Sequence, residues 1–299
     1  MNHFLYIFIF SCFSIFSFSQ DIFFNQYNHA PLIINPALTG DFDGNLRVNA
    51  IYRNKGQNPF INHHLRSVFL SVDSKYKISE TTKIGYGFTG LNDASGMTPF
   101  NANAIGLSGA ITRIIGDEDL EYHVFSLGVS SGLIYKPDLR LFDTYFWDLT
   151  IGGFYRFHAR EGWSIEVGGA LVHANESFSE RFQTQLNKNY NLYVRGEFPL
   201  FKKLSILPIY LYQGANNRTI LGNTFKYELT ASKKLKIIEI GYQYLGTQRF
   251  RNVGHGIRGT VGFSSFRFGL LYDFYPVVNL QPGILSAFEL SFAYILDRE

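Results

Sequence analysis

Cysteine is nearly absent: the 299-residue chain has one, Cys12, inside an N-terminal apolar run. Without that run no thiol remains, which excludes a disulfide framework, a thiolate metal site and a cysteine nucleophile from the rest of the chain. Charge is scarce too. Asp, Glu, Lys and Arg make up 17% of the residues, below the roughly 25% of soluble domains. A net charge of +3 with no basic cluster leaves no footprint for nucleic acid. After Phe18 nothing approaches the ~18 consecutive apolar residues of a membrane helix. There is no P-loop, no dinucleotide fingerprint and no heptad repeat.

What is abundant is aromatic side chain, at 17%, with 28 glycines and a mean hydropathy of -0.03. The aromatic and aliphatic residues alternate with polar ones. In Asn45–Arg53, residues Leu46, Val48, Ala50 and Tyr52 point one way, and Asn45, Arg47, Asn49 and Arg53 the other. The pattern returns to the C-terminus in about 14 segments, each near the ~9–11 residues that a tilted strand needs to cross a bilayer. Among the apolar faces are Val68/Leu70/Val72, Ile84/Tyr86/Phe88, Tyr190/Leu192/Val194 and Phe288/Leu290/Phe292/Tyr294. Long and short connections alternate between segments, as in outer-membrane barrels, and an even strand number puts both termini on the periplasmic side. The expected fold is all-β: a transmembrane antiparallel up-and-down barrel over residues 44–299. At Pro208 the alternation meets a residue that cannot donate to a ladder, so a bulge or strand end is expected there.

The opposite faces carry Arg47, Arg53, Asp148, Arg156, Glu166, Arg195, Glu197, Lys226, Glu228, Glu239, Arg258, Arg267 and Glu289, seven basic and six acidic residues. An Arg or Lys at the bilayer midplane costs roughly 2–4 kcal/mol, so these charges are expected to face a polar lumen. Both signs in near-equal number suggest a cross-linked interior rather than an ion-selective pore.

Before the barrel, the apolar run Phe4–Phe18, ending in Ser17-Phe18-Ser19, resembles a secretory signal peptide, residues 1–19, cleaved after Ser19. An uncleaved anchor is the alternative. Residues 20–43, with Asn35-Pro36 and Gly40, are expected to form an irregular periplasmic segment.

The sequence Asp21-Ile22-Phe23-Phe24-Asn25-Gln26-Tyr27, then Asn35-Pro36-Ala37 with Gly40, then Tyr52-Arg53-Asn54, resembles the PorP/SprF family of the Bacteroidetes. Gly152-Gly153-Phe154-Tyr155, Gly168-Gly169 and Tyr272-Asp273 are similar to later blocks of that family. The resemblance implies a non-enzymatic outer-membrane barrel that supports type IX secretion or the surface anchoring of a cognate secreted adhesin-like protein, linked to gliding motility. It implies three partners: outer-membrane lipid, the type IX machinery, and a secreted surface protein with a C-terminal sorting domain. It also marks Gln26, Tyr27, Asn35, Pro36, Ala37, Gly40, Tyr52 and Arg53 as structural or docking residues. A passive or substrate-specific channel is the alternative function, and an outer-membrane enzyme a third.

Catalytic and metal signals are weak, and no cofactor, metal or catalytic residue is expected. Gly106-Leu107-Ser108-Gly109 lacks the closing glycine of a nucleophile elbow and reads as strand. His63-His64 has no second pair at ligand spacing. Asp117-Glu118-Asp119 reads as a solvated turn. Glu166 and Glu197 could act as acid and base only if their strands met, and inward salt bridges are the favoured reading.

Overall fold

The computed structural model describes residues 24–55, 65–95, 101–117, 120–137, 143–179, 184–229, 235–247, 254–274 and 286–296. The leader with Cys12 and the Ser19 cleavage position, His63-His64, Glu118 and Asp119 lie outside them. No described helix is long and apolar enough to cross a membrane.

Alternation produces strands first. They are β1 (Leu46–Lys55), β2 (Leu65–Ser79), β3 (Thr82–Ser95), β4 (Asn101–Gly116), β5 (Tyr122–Pro137), β6 (Asp143–His158), β7 (Ser164–Val172), β8 (Phe178–Ser179), β9 (Thr184–Gln185), β10 (Asn189–Phe201), β11 (Leu204–Gln213), β12 (Arg218–Glu228), β13 (Leu235–Thr247), β14 (Gly254–Phe263), β15 (Phe266–Phe274) and β16 (Ser286–Leu296). All but β8 and β9 form one closed barrel, each strand antiparallel to both neighbours, with β1 pairing β2 on one side and β16 on the other. The barrel therefore has the expected 14 strands. The paired β8 and β9 form a separate minimal hairpin within the connection from β7 to β10.

Closure removes every sheet edge, and the wall then sorts side chains by period two. Its outer surface is apolar. Leu107 and Leu127 are each 69% exposed, and Val194, Ile240, Phe268 and Leu290 are also exposed. Such a surface requires lipid around it. Short turns join β2 to β3, β10 to β11 and β14 to β15 at one rim, which also holds the start of β1 and the end of β16.

At Pro208 the strand neither ends nor bulges. β11 stays in register with β12 through Pro208↔Asn223, while its pairing with β10 lapses between Ile209↔Arg195 and Ile206↔Phe198. The missing N–H is absorbed by one ladder, and the register shift falls further on, between Pro199 and Phe201.

The largest departure from expectation is inside. The lumen is not simply polar: Ile51, Phe69, Leu211, Ile220 and Leu271 point inward and are fully buried. The described part of the N-terminal segment, residues 24–43, does not hang beneath the barrel. It folds into the lumen as a 3-10 turn at Tyr27–His29, one helical turn at Pro31–Ile34 and a second 3-10 turn at Pro36–Leu38. Its Tyr27, Ile34, Ala37 and Leu38 join Phe154, Tyr193, Ile209, Leu211 and Ile220 of the wall in one apolar core. Phe24 and Ala30 form a second with Ile51 and Phe69. A segment rich in Asn, Gln and unpaired backbone is stable there because the wall supplies both apolar contact and hydrogen-bond partners.

Candidate functional site: the luminal plug

Asn35 sets the plug's main bend. Its Oδ1 accepts the Ala37 N–H at 2.9 Å, and Pro36 follows at the first position of the turn, where a missing donor costs nothing. Its Nδ2 donates to the Gly153 carbonyl at 2.9 Å. The backbone from Pro36 to Thr39 lies directly on the wall: an ideal Cβ on Gly128 would stand 2.4 Å from the Ala37 nitrogen, and one on Gly85 2.0 Å from the Thr39 carbonyl oxygen. Only glycine permits this approach. Nearby, Ser126 donates to the Ala37 carbonyl and Thr39 to Ser108, the serine of the expected strand segment on β4.

At the other end of the plug, Glu289 of β16 is the clasp. Its buried carboxylate accepts the backbone N–H of Asn25 at 2.7 Å, that of Gln26 at 2.8 Å and Arg53 Nη1 at 2.9 Å. Gln26 completes the grip through the Glu289 carbonyl, 2.9 Å, and Ser291, 2.6 Å. Asn25 also donates to Asp273, which lies 3.8 Å from Arg53. A third tie is Asp73, which accepts the N–H of Gly40 at 2.8 Å and both Nε and Nη2 of Arg47, while Arg47 donates to the Leu38 carbonyl. Gly40 has φ +75°, a conformation natural to glycine, with Gly85 Cα only 2.8 Å from its ideal Cβ.

Where the chain turns toward β1, Asp41 meets Arg156, which also binds Glu166; Arg195 Nη2 joins Glu166 at 2.9 Å. Burial raises the Asp41 carboxyl, but the Arg156 charge and hydrogen bond outweigh it and hold the group below its ordinary value. Glu197 takes Lys226 at 2.7 Å, and Lys226 also reaches the exposed Glu228 at 3.1 Å. β7 and β10 are adjacent, yet Glu166 and Glu197 are each held by cations. Asp148 binds His173 at 2.6 Å. Arg258 lies over the Tyr27 ring, 4.7 Å from its centre, and donates to Thr224. Glu239 and Arg267 line the lumen.

The structure thus brings Gln26, Tyr27, Asn35, Pro36, Ala37, Gly40 and Arg53 together in the plug and its clasp. Tyr52 stands apart on the outer face, its ring 5.9 Å from that of Phe288. Asp41, Asp73 and Asp273, which the alternation of the strands did not single out, also tie the plug to the wall.

The plug divides the lumen. Toward the short-turn rim lies a polar vestibule of about 380 Å³, reaching Ser164, Lys226 and Ile295. Toward the long loops lies a cavity of about 200 Å³, floored by Leu32, Ile33 and Phe69 and bordered by Asn191 and Gln213.

The family model for the type IX secretion system membrane protein PorP/SprF matches residues 16–294. The chain belongs to this family. Among solved structures, this PorP/SprF barrel is similar to the CymD monoaromatic hydrocarbon channel, with a TM-score of 0.49 at 9% identity over 90% of this chain and 93% of that one. It is similar to a TodX monoaromatic hydrocarbon channel mutant, TM-score 0.46 at 12% identity over 91% and 94%. Haemophilus ducreyi BamA lacking POTRA domains 1-3 gives a TM-score of 0.44 at 8% identity over 84% and 70%. No curated protein matches. Family and architecture make this a secretion-related barrel of the outer membrane.

Proposed function

We propose that this barrel acts without catalysis, as a closed platform that holds a cognate secreted, adhesin-like protein at the long-loop rim and ties it to the type IX machinery. The observation that carries this reading is the plug. Residues 24–40 occupy the lumen and are fastened to β1, β2, β4, β5, β6, β10 and β16 through Arg47, Asp73, Ser108, Ser126, Gly153, Asn191 and Glu289. A lumen filled in this way is poorly suited to solute passage, which counts against the passive channel. The surfaces left for function are the two rims. A role in gliding motility follows from the same attachment if the held protein is a motility adhesin.

The test is a pull-down of the tagged protein from detergent-solubilised outer membranes, with mass spectrometry of what accompanies it, alongside planar-bilayer recording. Co-purification of type IX components and one large secreted protein, with a silent bilayer, is expected. The barrel alone with stable conductance steps would replace this reading with the channel.

A further inference from the structure

Midway along β12, the outer wall carries a polar side chain where lipid offers it no partner. Asn223 is exposed between the exposed Leu221 and Phe225, so it points away from the lumen. β12 is about as long as a tilted strand needs to cross a bilayer, which puts its midpoint near the middle of the hydrocarbon. Other polar side chains of this face pair within the wall. Asn92 Nδ2 donates to Asn103 Oδ1 at 2.7 Å, Trp147 Nε1 donates to Ser131 Oγ at 2.7 Å, and His123 Nδ1 meets the Tyr155 hydroxyl at 2.8 Å. The Asn223 carboxamide makes no such bond among the described residues, and its neighbour Tyr242 is taken by His255. An amide left unpaired in hydrocarbon is costly, so a polar side chain at this depth points to a contact with other protein.

The surface around Asn223 is shaped for close approach. Its cross-strand neighbour on β11 is Pro208. The two make a low step between one ridge through Tyr210 and Leu221 and another through Ile206 and Phe225. The wall itself has no use for the amide. The nearby ladder lapses where Pro208 faces Gly196 on β10, because proline has no N–H to give the glycine carbonyl. That carbonyl lies two strands from Asn223, and Gly196 borders the luminal vestibule, so it can be hydrated from inside. Asn223, on the lipid side, has no such relief.

We propose that Asn223 marks a two-fold interface within the membrane, where a second copy of this barrel packs its β11–β12 wall against this one. A carboxamide carries two donors on nitrogen and an acceptor oxygen, so its natural complement is another carboxamide, joined by two hydrogen bonds. A two-fold axis along the bilayer normal brings a surface onto its own copy. Asn223 then meets Asn223, with Leu221 packing on one side of the pair and Phe225 on the other. The copies stand side by side in the same orientation, and both rims and the lumen stay as they are. The interface therefore goes beyond the platform reading and does not depend on it.

Cross-linking of the full-length protein in outer membranes tests this. In a Cys12→Ser background the chain has no other thiol, so Asn223→Cys under mild oxidation should give a disulfide-linked dimer on a non-reducing gel. Leu107→Cys, on β4 across the barrel and just as open to lipid, should stay monomeric. Asn223→Leu suits lipid and should assemble as well as the wild type. Its self-association in detergent, read by analytical ultracentrifugation, should weaken roughly tenfold with the loss of the amide pair. Four results each overturn the interface: no dimer from Asn223→Cys, an equal dimer from Leu107→Cys, cross-linking of Cys-substituted Asn223 to a different protein instead, or unchanged self-association in Asn223→Leu.

Discussion

Gly128 of β5 and Ala37 of the plug touch backbone to backbone, so close that a methyl group on Gly128 would stand 2.4 Å from the Ala37 nitrogen. Neither backbone can yield easily, because Ala37 is held by Asn35 and Ser126 and Gly128 by its ladders. Gly128→Val is therefore expected to lift the plug from the wall, at a cost of about 3 kcal/mol or more. Gly259 is the control: an ideal Cβ there has nothing within 4 Å, so Gly259→Ala should be neutral. Single-channel recording together with limited proteolysis of residues 24–43 reads the difference. Conductance and cleavage should appear in Gly128→Val and in neither Gly259→Ala nor wild type.

Glu289 joins the plug to Arg53 in the barrel wall and is itself 0% exposed. Glu289→Gln keeps the shape but strips the charge that Arg53 meets at 2.9 Å, with Asp273 more distant at 3.8 Å. Breaking such a buried pair costs about 3–5 kcal/mol. The temperature at which the folded barrel loses its compact gel mobility should fall in Glu289→Gln. Combining it with Arg53→Met should recover part of the loss, since the second change removes the cation that Glu289 had matched. Additive losses would mean that the two residues act separately.

The wall was legible in the sequence and the plug was not, for one physical reason. Lipid outside a closed sheet enforces period two over every strand, so Val194 outward beside Arg195 inward could be read from adjacent letters. The plug depends on contacts between residues far apart, such as Asn25 with Glu289, which leave no local period. One trace was present. Ile51 and Phe69 place large apolar side chains on the face that carries Arg47, Arg53 and Asp73, which makes sense only if something apolar fills the lumen against them. Asp73 itself follows the alternation of β2, whereas Asp41, in the irregular segment, carried no such signal.

Acid should loosen the plug through His29. Its pKa in the fold, about 3, lies below the ordinary 6.5 because burial and then Arg258 and Arg267 disfavour the charged ring. Below 6.5 the unfolded chain binds a proton that the folded one does not, so this contribution to stability falls as pH drops from 6.5 toward 3, by about 1.4 kcal/mol per pH unit. Asp41 is also held below its ordinary value, by Arg156, and its stabilisation is lost only as pH falls through and below the ordinary carboxylate range. The difference between wild type and His29→Gln in denaturant unfolding, measured from pH 7 to pH 4, isolates the histidine. The stability of the two proteins should converge steadily on acidification; a constant gap would mean that His29 is not the group responsible.

The assignment of faces is tested most directly at neighbouring residues. Val194 lies on the lipid side of β10, and Leu290 on that of β16. An arginine at either position would meet hydrocarbon, at roughly 2–4 kcal/mol near the midplane. Val194→Arg and Leu290→Arg should therefore sharply reduce folded barrel in the outer membrane. Arg195 points inward to Glu166, which keeps Arg156 as a second partner when Arg195 is removed. Arg195→Val should then lose one shared ion pair and still assemble. Heat-modifiable gel mobility of outer-membrane fractions reads all three. Equal yields from the three variants would mean that the faces of β10 and β16 are not those described.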